Sequence, residues 1–381
     1  MATPKWAMLS ICHLVYTRIY LQTDELSEWF HHCKEKQKDL SLFVSEKLVR
    51  ESVRAELNKI PVSHLGLYEE PEVRDFWHGE NRETGIRARF VDGELLITEV
   101  LPQSPADAAG IQRGDVILLQ DGEHPSELSV QLLGGDLLIK RESGQRLVRI
   151  EPSRLQRDER PRVEISRQGT PILRIPSFRG EYFSSGWKHV LATVRDKLIV
   201  DLRANRGGNF VAGLRLISKL ICKEVEVGAI HRPRVKTGPN VQMPDDISDI
   251  IQIRTINQSA RVAMITQNLN CQRPRMVVVV DESTSSVAEM VAAALRDHGH
   301  AKIIGWRTSG TLLVSTWYDF PELGRGVKLS LPEAVYLTSK NHMIEGLGLS
   351  PDLQADWNLR EAQLGLDSLI EKSDKILNSH N

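Results

Sequence analysis

Cysteine is scarce in this 381-residue chain: Cys12, Cys33, Cys222 and Cys271 are scattered, and no two form a C-x-x-C pair. That spacing suggests neither a zinc cage nor a disulfide framework, and it fits a reducing compartment. Long apolar runs are missing too. The stretch Trp6 to Tyr16 follows Lys5, is interrupted by His13 and Arg18, lacks a small-residue cleavage site and is too short to cross a bilayer. It reads as part of an N-terminal helix. Neither sign of charge dominates, since 49 Lys and Arg stand against 50 Asp and Glu. No net field draws the chain to nucleic acid or an anionic membrane, so partners must be sought in sites.

What is present is the composition of a globular protein, 41% apolar and 26% charged, long enough for two or three domains. Up to Ile60 the chain is rich in helix formers with apolar residues three and four apart, and Pro61 stops the pattern. A short polar turn, Val62 to Gly66, carries Ser63 and His64. A polar linker is expected from Glu69 to Glu83. Gly85 to Ile150 then reads as short alternating strands, with a hairpin at Val91-Asp92-Gly93-Glu94 and a capped helix from Ser104 to Ala109. From Pro171 the pattern turns to α/β. PILRIPSF is a strand, Tyr182 to Arg195 a helix, and KLIVDLRANRGGNF a strand leading through Gly207-Gly208 into another helix. His231 to Arg261 reads as a long irregular insertion, Gly326 to Leu337 as strand, and Asn358 to Leu377 as a closing helix.

The most informative stretch is Val277 to Gly310. Four consecutive valines make a buried strand, and a hydroxyl-rich turn then tips into a helix starting near Ser286. A serine there stands clear of the backbone beside unpaired helical N–H groups, which suits a nucleophile. It suits an N-cap equally, because Glu289 follows Ser286 by three as in a capping box. A base and an oxyanion site elsewhere would favour the nucleophile. His64, with Ser63 to fix its tautomer, has the chemistry of a base near neutral pH. Gly207-Gly208 can present N–H groups outward.

Several motifs carry a family resemblance. Ser104-Pro105-Ala106 and Ala109-Gly110-Ile111 through Gly114-Asp115-Val116-Ile117-Leu118 resemble a PDZ domain. Asp201 to Gly208 (D-L-R-x-N-x-G-G), Ser286-Val287-Ala288-Glu289, Ile303 to Gly310 and Glu345 to Asp352 resemble the C-terminal-processing, or tail-specific, proteases. Those enzymes place a lysine base after the second glycine of G-x-x-T-x-G, where this chain has Thr311. The tricorn-core branch lacks that lysine, and the chain is similar to that branch.

The resemblance implies a multidomain α+β chain: a helical N-terminal cap over 1–70, a PDZ domain over 84–152, and an α/β core of the spiral crotonase or Clp-protease type over 160–381. It implies a serine endopeptidase in which Ser286 attacks the peptide carbonyl and His64 is the base, supported by Ser63 and Glu345. Gly207 or Gly208 with Val287 would hold the oxyanion, and the loop at Gly85 and Ile86 would receive a peptide carboxylate. The expected partner is a peptide or protein substrate, with no nucleic acid, membrane insertion, metal or organic cofactor. The expected location is cytoplasmic, with an exported form as the alternative. The competing functional reading is a PDZ-containing pseudoprotease that binds peptides without cleaving them.

Overall fold

The computed structural model describes residues 3–21, 23–179, 187, 190–235, 240–243, 255–256, 258–267 and 271–379. Three helices come first, Pro4–Arg18, Asp24–Asp39 and Glu46–Leu57. Pro4 sits in the first turn, where its missing N–H breaks no bond, and Ser45 caps the third helix by accepting from the Leu48 N–H (3.3 Å). Their apolar faces, including Met8, Ile11, Trp29 and Val53, bury against one another and against Leu323, Leu329 and Leu331. None of the helices among the described residues is long and apolar enough to cross a membrane.

Two expectations are corrected here. Cys12 pairs with Cys33, and Cys222 with Cys271, as disulfides whose Cα atoms lie 6.0 and 5.4 Å apart. Packing brings those Cα atoms within bridging distance, which spacing along the chain does not reveal. The stretch Glu69 to Glu83 is not a linker but a helix, Glu70–His78, followed by the strand Glu80–Glu83, which pairs with Ser153–Gln156. A Glu69–Glu72 capping box starts the helix, and Arg54 ties it down through Glu69 (3.1 Å) and Glu72 (2.8 Å).

Residues 86–150 form a five-stranded antiparallel sheet in sequential order, with Ile86–Val91 on one edge. Its hairpin turns at Asp92-Gly93, both at positive φ, and Ser104 caps the helix Pro105–Ala108 where the sequence placed it. The larger core sheet runs Leu353–Gln354, Lys302–Gly305, Arg275–Val280, Lys197–Asp201, Pro171–Arg174 and Arg162–Ile165, parallel except for the last pair. Successive Cβ atoms alternate across a strand, so Val278 and Val280 face the helices Phe210–Ile221 and Val287–Gly299. Val277 and Val279 face the C-terminal segment and Val91, Leu96 and Val116 of the five-stranded sheet. Burial on both faces is why the valine run does not alternate with polar residues.

A second six-stranded sheet is built on Lys328–Thr338, flanked by Gly66–Tyr68, Leu313–Asp319 and Glu226–His231. The two long core helices share a hydrophobic core with residues of both sheets. The expected closing helix is two, Leu359–Gln363 and Ser368–Asn378, interrupted at Gly365. Within the expected irregular insertion, Asn240–Met243 is a strand parallel to Arg261–Ile265. Much of the rest of that insertion, and half of the expected helix Tyr182 to Arg195, lie outside the described residues; of the other half, 190–195 are turn and irregular backbone, not helix. The chain has a mixed α/β multidomain fold.

Candidate active site

The C-terminal ends of the parallel core strands, where open α/β sheets bind ligands, carry the predicted residues of the S-x-x-E and G-G motifs. Ser286 sits between the strand Arg275–Val280 and the helix Val287–Gly299 with φ 57° and ψ −125°. An ordinary N-cap has extended backbone, and a serine at positive φ is uncommon. The Glu289 N–H donates to the Ser286 carbonyl (2.9 Å), and the two residues also form a capping box in which the Glu289 carboxylate accepts the Ser286 N–H (2.9 Å). The capping box and the nucleophile reading therefore coexist at Ser286, whose Oγ makes no hydrogen bond beyond that box among the described residues.

The Asp201 to Gly208 loop is stitched to this turn. Asp281 accepts the Ala204 N–H (3.0 Å), Asn205 O accepts the Ser285 N–H (2.9 Å), and Thr284 Oγ1 donates to Leu202 O (2.9 Å). Gly207 is needed where it lies, at φ 88°, because a Cβ there would meet Ser286 Cβ at 2.6 Å. The two glycines differ as donors. The Gly207 N–H is committed to Asn205 Oδ1 (2.8 Å), whereas the N–H groups of Gly208 and Val287 have no acceptor among the described residues.

His64 follows Ser63 in the turn after the third helix, also at positive φ (61°). Its Nδ1 lies 2.7 Å from Ser63 Oγ, which donates to Glu345 Oε2 (2.8 Å). Glu345 also accepts the Ser63 N–H (3.0 Å) and the Leu312 N–H (2.8 Å). The residue as a whole is half-buried, and burial of the imidazole lowers its pKa from 6.5 to about 4. The His64 carbonyl is held by Ser330 Oγ (2.6 Å).

One short segment joins the two halves. Successive N–H groups of Ser309, Gly310, Thr311 and Leu312 go to Thr284 O (3.0 Å), Glu289 Oε1 (2.8 Å), Glu289 Oε2 (3.1 Å) and Glu345 Oε2 (2.8 Å). The first three hold the turn of Ser286, and the fourth holds the carboxylate behind Ser63 and His64. Adjacent backbone nitrogens are no more than about 3.8 Å apart, so Glu289 and Glu345 hang from one strap at most about 10 Å apart. Glu289 is fully buried and also accepts the Ser286 N–H (2.9 Å) and the Thr308 hydroxyl (2.5 Å). Burial pushes its carboxyl up, against these donors.

Residues 170–355 match the model for peptidase family S41. A probable CtpA-like serine protease of Staphylococcus haemolyticus is 28% identical over 283 residues, 70% of this chain and 51% of the relative. One from Staphylococcus aureus strain COL is 23% identical over 329 residues, 82% of this chain and 61% of the relative. The chain thus spans between about half and three fifths of the length of these relatives. Among solved structures, a photosystem II D1 C-terminal processing protease matches at TM-score 0.61 and 18% identity, covering 100% of this chain and 98% of that one. The tricorn protease matches at TM-score 0.53 and 16% identity, covering 98% of this chain and 37% of that one. These likenesses concern the fold.

The S41 stretch holds Gly207, Gly208, Ser286, Val287 and Glu345, while Ser63 and His64 precede it. The Thr311 and Ser309 hydroxyls share a hydrogen bond (2.8 Å). In sequence Glu289 shows its capping-box spacing and its place in the S-x-x-E motif, but not its hold on Thr308, Gly310 and Thr311. At the expected carboxylate loop, Gly85 N–H has no acceptor among the described residues, while Ile86 donates to Thr84 Oγ1 (3.2 Å). On the same edge strand the Phe90 N–H is taken by Glu127 Oε1 (3.1 Å).

Proposed function

We propose that this chain is a serine endopeptidase of the tricorn-like type, acting on peptide or protein substrates through Ser286, His64, Ser63 and Glu345 and not through a serine-lysine pair. The observation that carries the reading is the relay from Glu345 through Ser63 to His64. An ionised carboxylate can only accept, so the single proton of the Ser63 hydroxyl goes to Glu345. Ser63 Oγ then accepts from His64, which places the imidazole proton on Nδ1 and leaves Nε2 as a lone pair. A depressed pKa keeps that imidazole neutral at ordinary pH. Substrate binding would bring Nε2 and Ser286 Oγ into hydrogen bonding, as catalytic bonds commonly tighten only in the complex.

In the first step Ser286 Oγ adds to the peptide carbonyl while its proton passes to His64 Nε2. The charge on the imidazolium is balanced through Ser63 by Glu345. The oxyanion is received by the Gly208 and Val287 N–H groups, since Gly207's is already bonded. His64 then gives its proton to the leaving amine, and water repeats the sequence to release the acyl group. The test is Ser286→Ala: peptide cleavage should vanish while circular dichroism and Tm stay near those of the parent. Preserved turnover would sink the mechanism.

The five-stranded sheet is taken as a PDZ domain over 84–152 that engages substrate C-termini, between a helical cap (1–70) and a crotonase-type core (160–381). The Gly85 N–H is free to receive a carboxylate, and Ile86–Val91 is an edge strand on which a peptide could add. The two disulfides favour the exported alternative over a cytoplasmic location, because such bonds persist in oxidising compartments. Thiol labelling of the unreduced protein from cells tests this: labelled cysteines would restore the cytoplasmic reading.

A further inference from the structure

We propose that Tyr68, Phe76, Trp77 and Trp317 form a substrate subsite beside the base, taking an apolar side chain of the peptide close to the cleaved bond. The inference rests on the active-site reading above and adds a specificity surface to it. The four rings form a connected group. Trp317 lies 5.2 Å from Tyr68, 5.2 Å from Phe76 and 5.6 Å from Trp77, and Phe76 meets Trp77 at 5.0 Å.

Strand register places this group next to His64. Ser330 is paired with Gly66 on one side and Trp317 on the other, so those three positions share a face of the sheet. Ser330 Oγ binds the His64 carbonyl on that face (2.6 Å), and Ser315, two residues before Trp317, reaches the same oxygen (3.4 Å). The opposite face is core, with Leu329 and Leu331 fully buried. An extended peptide with its scissile bond beside His64 therefore has the aromatic group within a few residues' reach.

Packing alone does not account for the cluster. The helix Glu70–His78 buries no residue fully, and Phe76 and Trp77 are 37% and 40% exposed. Arg54 on Glu69 and Glu72, and Arg179 on the Asp75 carbonyl (3.0 Å), hold the helix without its rings. The Trp77 and Trp317 indole N–H groups have no acceptor among the described residues, leaving them available to a peptide carbonyl. Aromatic groups also bind cations, but each neighbouring acid is already paired with a cation of the chain. Glu70 pairs with Arg74 (2.5 Å), Glu72 with Arg54 (2.8 Å), Asp75 with Arg157, and Asp319 with Lys328 (2.5 Å). The chemistry thus selects an apolar partner such as Leu or Phe over Lys.

The test uses the full chain and peptides identical except at one position, scanned through three residues on each side of the cut and filled with Leu, Phe, Ser or Lys. One position should favour Leu or Phe over Ser by about tenfold or more in kcat/KM, the scale set by an apolar pocket. The Phe76→Ala/Trp77→Ala chain should lose most of that preference through KM. In the Ser286→Ala background, the Leu peptide should shift tryptophan emission, and adding the two alanines should weaken its Kd about tenfold. An unchanged preference and Kd in the double-alanine chains, or a parent preference for Lys, would overturn the subsite. Cleavage by Ser286→Ala would instead overturn the active-site reading, so the two failures are distinguishable.

Discussion

Acidification is the perturbation that separates this His64 from an ordinary histidine. Burial lowers its pKa from 6.5 to about 4. At pH 5.5 a histidine at 6.5 is only about one-tenth neutral, whereas one near 4 is almost wholly neutral. Because kcat/KM reports ionisations of the free enzyme, it should fall little between pH 7.5 and 5.5 and drop only toward pH 4. Stability follows the same group. Its folded pKa is depressed, so its contribution is intact above pH 6.5 and is lost as pH falls through 6.5 toward about 4. That lowering corresponds to roughly 3 kcal/mol at the upper limit, reduced because the residue as a whole is only half-buried. Urea denaturation at pH 7.5, 5.5 and 4.5 should show the parent losing more stability than His64→Ala over that window. A half-maximal kcat/KM near pH 6.5, with parallel stability losses in the two chains, would refute the buried neutral base.

The supporting residues make distinct expectations. Glu345→Gln should lower kcat less than His64→Ala does, since it keeps an acceptor for Ser63 but loses the charge that balances the imidazolium; steady-state kinetics of the two variants decide. Glu289→Ala removes the acceptor of four donors, at Ser286, Thr308, Gly310 and Thr311, and should destabilise by about 3 kcal/mol or more in urea titration. A loss below about 1 kcal/mol would mean the strap does not depend on it. Glu127→Ala frees the Phe90 N–H on the edge strand and should tighten binding of peptides with free, but not amidated, C-termini by calorimetry.

How much could be read in advance depended on whether the interaction was local. The strand, turn and helix around Ser286 were legible because valines, hydroxyl-rich turn and helical spacing are contiguous. The Asp92-Gly93 hairpin and the Ser104 cap were legible for the same reason. The relay joins Ser63 to Glu345 across 282 positions and was visible only through resemblance to a family. Glu289 looked like a capping-box residue because three of its four partners come from other parts of the fold. Gly207 and Gly208 were indistinguishable until Asn205 was seen to occupy one of them. The helix Glu70–His78 was hidden by its polar composition, since arginines from distant segments hold it. Both disulfides depended on which elements pack together, which no spacing rule supplied.

The central claim is that Ser286 is a nucleophile activated by His64. The most direct measurement is fluorophosphonate labelling of the full chain followed by mass spectrometry of the peptide containing Ser286. One adduct on Ser286 is expected in the parent, with labelling slowed at least about a hundredfold in His64→Ala, the low end of what a general base contributes. An adduct on another residue, no adduct, or equal labelling in His64→Ala would contradict it.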